Sequence, residues 1–282
     1  MPEYCRLIFT AITLFAQGFT AFASSTQTRL DEDIANGKPI VIQLSVALAD
    51  NKHQWIVPVP AAIGNGQDAG SNLYWGARYG VKTYMTKTAG WEKLASFKPQ
   101  DDRILERLVL KRSFTRKGRA VPVYLVADAW DGKFISDTIR QFIRYNAGAD
   151  ALVLQVDGKK LNAGSNAHLV VYIGHNALMD YAGLANLRLP NQEAGETNPT
   201  NDAIVLACKS KPYFLSRLQA VNAHPLLLTS GLMAPEAYSL SAAIEQWITG
   251  NGDNEVRKAA AASYDHFQKT GRKAAERLFG VQ

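Results

Sequence analysis

Two residues sit where a reactive side chain is most useful. His175 follows the apolar run "LVVYIG" (residues 169–174), and Cys208 follows the apolar run "AIVLA" (residues 203–207). A thiolate attacks carbonyl carbon far better than a thiol does, and an adjacent imidazole either takes the proton or pairs with the anion. Lys209 and Lys211 add positive charge next to the sulfur and favour the ionised form. Backbone N–H groups of Cys208 and Asn176, where each run gives way to a loop, are candidates to hold a developing oxyanion. Together these residues spell acyl transfer through a thioester, provided that the fold brings positions 175 and 208 together.

The surrounding text predicts such a fold. From Lys38 onward, apolar runs of strand length alternate with helical patterns, which points to an α/β domain around a mostly parallel sheet. Strands are expected at 39–50, near Val109, at 120–130, at 168–174, at 203–208 and at 224–231, and helices after Asn72, after Asp131, near 212–221 and beyond 234. "LVLQVDGKKLN" reads as a hairpin turning at Asp157-Gly158. In a parallel sheet, ligands bind beyond the carboxyl ends of the strands. Runs ending in His175 and Cys208 would emerge at one edge if they are parallel neighbours, and the 208 − 175 = 33 residues between them leave room for a crossover.

Composition narrows the setting. Of 282 residues, 47% are hydrophobic and 20% charged, an ordinary globular balance. The net charge is +6, but the basic residues are scattered rather than run together, so no nucleic-acid partner is expected. Residues 1–23 read as a secretory leader, with Arg6, an apolar run at 7–16 and Ala21-Phe22-Ala23 as the cleavage motif. Gln17 and Gly18 cut that run short of the roughly 20 residues a membrane-spanning helix needs. The remainder, 24–282, is expected to be one secreted or periplasmic domain without integral membrane contact. Cleavage would remove Cys5 and leave Cys208 as the single thiol of the 2 cysteines, so no internal disulfide is expected.

Taken together, "YIGHNALMD" and "IVLACKS" resemble the paired motifs of the caspase-like cysteine peptidases, the group that includes caspases, metacaspases, legumains, gingipains, clostripain and separases. The resemblance spans roughly residues 39–250, at the level of topology and two motifs. The leader and a helical C-terminal extension from about 253 lie outside it. It implies a three-layer α/β/α sandwich, Cys208 as nucleophile, His175 as general acid and base, and the backbone of Cys208 and Asn176 as oxyanion donors. A peptide or protein substrate and no metal or cofactor follow from the same resemblance. Asn176 stands where the family has Gly, and asparagine takes up left-handed backbone only in part, so strain is expected there.

Other candidates have two readings each. Asn51 in "DNKHQ" either orients His175 or forms a turn. Asp180 either caps the segment after the histidine or faces the substrate. Asp128 either enters a pocket for basic side chains or bonds locally. "GNGQDAG" (64–70) lacks the Lys-Ser/Thr of a phosphate loop and is expected to be a flexible loop. His53, His168, His224 and His266 show no metal-ligand spacing. The polar loop at 188–202 is a candidate lid or self-cleavage segment. Besides a peptidase, the same residues allow a non-catalytic binding or assembly module, or a thiol-dependent acyl hydrolase.

Overall fold

The computed structural model describes residues 17–180 and 201–282, with side chains from residue 26 onward. The apolar part of the leader and nearly all of the 188–202 loop lie outside the described residues. The chain runs through α1 (Gln17–Ala35), β1 (Ile40–Ala47), α2 (Val81–Lys87), β2 (Glu92–Phe97), β3 (Ile104–Arg116), β4 (Arg119–Trp130) and α3 (Ile135–Asn146). It continues as β5 (Ala151–Val156), β6 (Lys159–Gly164), β7 (Leu169–Ile173), β8 (Asp202–Leu206), α4 (Ser210–Ala220) and β9 (His224–Leu227). Three helices close it: α5 (Ala237–Thr249), α6 (Asp253–Gln268) and α7 (Arg272–Phe279).

Seven strands form one sheet in the order β2-β3-β4-β1-β7-β8-β9. Parallel pairing joins β4 to β1, β1 to β7, β7 to β8 and β8 to β9, while β3 runs antiparallel to both β2 and β4. The central strands are apolar almost throughout, as strands covered on both faces must be. Along β1, Ile40, Ile42, Leu44 and Val46 enter one core cluster, and Val41 and Ala47 enter the other. This two-residue alternation divides a single sheet between two helical layers.

The first face is covered by residues of α5, α6 and α7, including Ile244, Trp247, Ala260, Tyr264 and Phe279, together with Met85 of α2 and Leu30 of α1. The C-terminal helices are therefore part of the core rather than an appendage to it. The second face is covered by α3 and α4. Ile135, Ile139, Phe142 and Ile143 recur on one side of α3, as an amphipathic helix requires. Each such side chain contributes roughly 1.5–3 kcal/mol on burial.

Local chemistry sets the turns. The β5–β6 hairpin turns at Asp157 (φ 53°) and Gly158 (φ 68°), the pair of positive angles a two-residue type I′ turn demands. Asp131 accepts the Lys133 N–H at 3.0 Å and caps a short 3-10 turn that leads into α3. The helix expected from Asn72 begins only at Val81, because the fully buried Asn72 side chain accepts from the N–H groups of Ala49 and Tyr74 and donates to Ala49 and Asn65 carbonyls. That residue pins a loop to the end of β1 instead of starting a helix.

The chain leaves β1 toward β4 on one side, and leaves β7 toward β8 on the other. The carboxyl ends of β1 and β7 are thus the point where strand order reverses, and crossover loops part there to leave a crevice.

Candidate active site

His175 lies two residues beyond Ile173 of β7, and Cys208 lies two residues beyond Leu206 of β8. Ile173 and Leu206 are paired in register. The histidine and the cysteine therefore leave adjacent parallel strands at the same level, where neighbouring chains run about 4.8 Å apart. The Gly174 N–H donates to Leu206 O at 3.3 Å and carries the pairing one step further. Glycine suits position 174, where φ is 157° and a Cβ would meet the Tyr172 hydroxyl at 2.9 Å and the Ala47 carbonyl oxygen at 3.1 Å.

Beyond the strand ends the two side chains face different partners. The His175 Nε2 pairs with the Asp180 carboxylate across the 3-10 turn at Ala177–Met179, and the imidazole side chain is only 14% exposed. In the neutral ring, a proton on Nε2 shared with that carboxylate leaves Nδ1 as the acceptor nitrogen. The Tyr172 hydroxyl, buried under the turn, donates to His175 O at 2.7 Å. The Cys208 thiol is half-buried. Its sulfur accepts the Met233 N–H at 3.4 Å and donates to Met233 O at 3.5 Å. Among the described residues no hydrogen bond joins the imidazole to the sulfur.

The loop that carries Cys208 is stitched to the segment following β9. Lys209 adopts φ 47° and donates its N–H to Gly231 O at 2.7 Å, and Lys211 N–H donates to Thr229 O at 2.9 Å. Ser210 and Thr229, both fully buried, bond to one another through backbone and hydroxyl groups. The far side of that segment is held by the C-terminal helices. Ser230 donates N–H to Leu278 O at 2.9 Å and its hydroxyl to Arg277 O at 2.8 Å, while Ala234 N–H donates to the Tyr264 hydroxyl at 3.1 Å. Burial raises the Tyr74 and Tyr264 phenols, and the nearby charge of Cys208 adds to both shifts. Burial also raises the Glu236 carboxyl, against hydrogen bonds from Tyr238 and Gln268. The side chains of Lys209 and Lys211 are exposed.

Asn176 departs from expectation. Its φ is −89°, ordinary for any residue, so no glycine is needed. The side chain is fully buried, and Nδ2 donates to Cys208 O at 2.8 Å and to Lys209 O at 3.4 Å. Asparagine thus ties the histidine loop to the cysteine loop, which glycine has no side chain to do. Among the described residues, neither the Asn176 nor the Cys208 N–H donates to a protein acceptor, as an oxyanion donor must not.

The remaining candidates separate clearly. Asp180 closes the 3-10 turn after the histidine, its N–H donating to Ala177 O at 3.2 Å, while its carboxylate pairs with His175. Asn51 does not reach His175: its amide clasps Val59, donating to the carbonyl at 2.8 Å and accepting the N–H at 3.0 Å. Asp128 is fully buried and holds Arg107 in a two-pronged pair at 2.6 and 2.9 Å, with Gln43 on a third contact at 3.3 Å. It has no open side for a basic substrate. The "GNGQDAG" loop is stapled rather than loose. Gln67 Nε2 bridges Asp50 at 2.8 Å and Asp131 at 2.7 Å, and Gly132 N–H donates to Gly66 O at 2.9 Å. Asp50 in turn holds His53 Nδ1 at 2.7 Å. No group of three or more metal-ligating side chains is found among the described residues.

Sequence reasoning missed the His175–Asp180 pair and the Met233 backbone against the sulfur. The first had a signal, a carboxylate five residues beyond the histidine, across one tight turn. The second had none, because it depends on where β9 docks.

The chain matches no protein-family model, no curated protein and no solved structure. Among the described residues no helix is long and apolar enough to cross a membrane.

Proposed function

We propose that this chain is an exported cysteine peptidase of the caspase-like type, cutting peptide bonds through Cys208 and His175. The observation that carries the reading is the level placement of these two residues at the carboxyl ends of adjacent parallel strands, beside the reversal of strand order.

In this mechanism His175 Nδ1 takes the thiol proton and the sulfur attacks the scissile carbonyl carbon. The carbonyl electrons pass to oxygen, where the Asn176 and Cys208 N–H groups receive the negative charge. Collapse breaks the C–N bond, the imidazolium returns its proton to the leaving amine, and a thioester on Cys208 remains. Water then attacks the thioester, giving its proton to His175, and the thiol and a carboxylic acid are released. The Asp180 carboxylate holds the ring so that the same nitrogen serves both proton transfers. Release of the sulfur from Met233 lets it swing toward His175 when substrate enters, since catalytic contacts often tighten only in the complex.

Replacing Cys208 by alanine should abolish cleavage of internally quenched peptides while leaving the thermal midpoint nearly unchanged. Peptide mapping after brief iodoacetamide treatment at mildly acidic pH should find Cys208 alkylated faster than a free thiol. Full cleavage by the alanine variant would overturn the reading.

A further inference from the structure

A cavity of about 500 Å³ opens on the β3 side of the sheet. Small-molecule sites run from about 300 to 1,000 Å³, so its size is that of a ligand rather than of a few waters. β3 and β8 are four strand spacings apart, about 19 Å, which sets it apart from the Cys208 loop. Its walls come from separate elements: Arg107 of β3, Trp130 of β4, Tyr145 of α3 and Leu154 of β5. Ile104 adds a buried apolar side chain. Phe97 and Val153 also line it, 41% and 50% exposed. Among the described residues five large hydrophobic side chains are this open to solvent, and two of them converge on this one cavity.

The polar groups in the walls are mostly donors without acceptors. Arg107 gives Nε and Nη2 to Asp128, at 2.6 and 2.9 Å, and its Nη1 makes no hydrogen bond among the described residues. The Tyr145 hydroxyl makes none either, and burial, with the charge of Asp128 adding to it, holds the phenol protonated and able to donate. Its ring is fixed from behind, since a Cβ at Gly164 would come within 2.9 Å of it. The Trp130 indole N–H is buried with no acceptor. Donors left so in a native fold call for an occupant that accepts from them. Gln141 gives Nε2 to Asp150 at 2.8 Å and keeps its oxygen for one donor.

Charge selects among occupants. Arg107 is matched by Asp128, and Asp101 takes Arg103 in a two-pronged pair at 2.9 and 2.7 Å. The cavity therefore holds no net charge to offset an ion, and burying an unmatched one is costly.

We infer that this cavity is a binding site for a small uncharged molecule that carries a carboxamide-type group on an apolar ring. The carbonyl accepts from Arg107 Nη1 and the Tyr145 hydroxyl, an amide N–H meets Gln141 Oε1, and the ring lies among Ile104, Val153 and Leu154. The site stands independently of the peptidase reading.

Three probes with one ring and different ends test it on the full chain: benzamide, benzoate and benzamidine. NMR of isotope-labelled indole N–H groups follows Trp130, whose signal is assigned by its loss in Trp130→Phe. Benzamide should shift that signal saturably, and the anion and the cation should each bind about tenfold more weakly or worse. Tyr145→Phe removes only the hydroxyl and should weaken benzamide roughly fivefold. Val153→Ser should weaken it as well, while Val57→Ser, equally exposed but elsewhere, and Cys208→Ala should leave it unchanged. All four variants should keep the parent's thermal midpoint. A Trp130 signal that benzamide does not move, equal binding of the three probes, or full affinity in Tyr145→Phe would overturn the site.

Discussion

The side-chain amide of Asn176 donates to the carbonyl oxygen of Cys208 over 2.8 Å, tying the loop after β7 to the loop after β8. The Asn176 side chain is fully buried, and the bond it makes is partly so. Asn176→Ala should leave the Cys208 carbonyl without its donor and cost about 1–3 kcal/mol, measured by denaturant unfolding. Asn176→Gly should fare no better, because φ at 176 is −89° and glycine's freedom is of no use there. A glycine variant more active than the wild type would contradict this account of the position.

Asp180 holds the imidazole of His175 from the side opposite the acceptor nitrogen. Asp180→Asn should lower kcat by roughly tenfold or more, since an ill-oriented ring forfeits part of its proton-transfer advantage, and should leave KM close to its starting value. A rise in KM at constant kcat would place Asp180 in substrate contact instead. Steady-state kinetics on one quenched peptide decides between them.

His224 links three elements, with Nδ1 on Asp202 at 2.7 Å and Nε2 on Asp253 at 3.0 Å. Trp247 also donates to Asp202, and Arg257 stands 3.5 Å from Asp253. Burial opposes the charged ring, but the two carboxylates outweigh it and raise its pKa to about 10. The unfolded value is about 6.5. The folded pKa is the higher, so the contribution is fully present below about pH 6.5 and is lost as pH rises through about 10. Wild-type stability should therefore fall across that window, and His224→Gln should flatten the fall. Parallel stability–pH curves for the two proteins would exclude this assignment.

Arg107 and Asp128 form a pair in which Asp128 is fully buried. Arg107→Leu should cost about 3–5 kcal/mol, because it strands a buried carboxylate, and the double variant Arg107→Leu/Asp128→Leu should recover most of that loss. Relative cleavage of basic and neutral peptides should be the same in Asp128→Asn as in the wild type. A changed preference would return Asp128 to the substrate pocket.

Much of this molecule was legible in the residue order. Continuous apolar runs marked the central strands, Asp157-Gly158 announced its hairpin, and His175 and Cys208 stood out as strand-end residues with reactive side chains. These features depend on neighbours along the chain, where periodicity and turn chemistry act directly. Asn72 showed the limit: its type suits a helix cap, yet bonds to Ala49, a residue distant along the chain, made it a loop clamp.

Only the tertiary structure decided the partners. The pairing of Ile173 with Leu206 brought the histidine and the cysteine level, the docking of the β9 segment placed Met233 against the sulfur, and the packing of α7 held that segment through Ser230. It also chose among readings that the residue types left open, giving Asp128 to Arg107, Asp180 to His175 and Asn176 to the Cys208 carbonyl. The physical reason is common to all of them. Most buried polar groups find a partner, and which partner lies within about 3 Å is set by strand register and layer packing, not by distance along the chain.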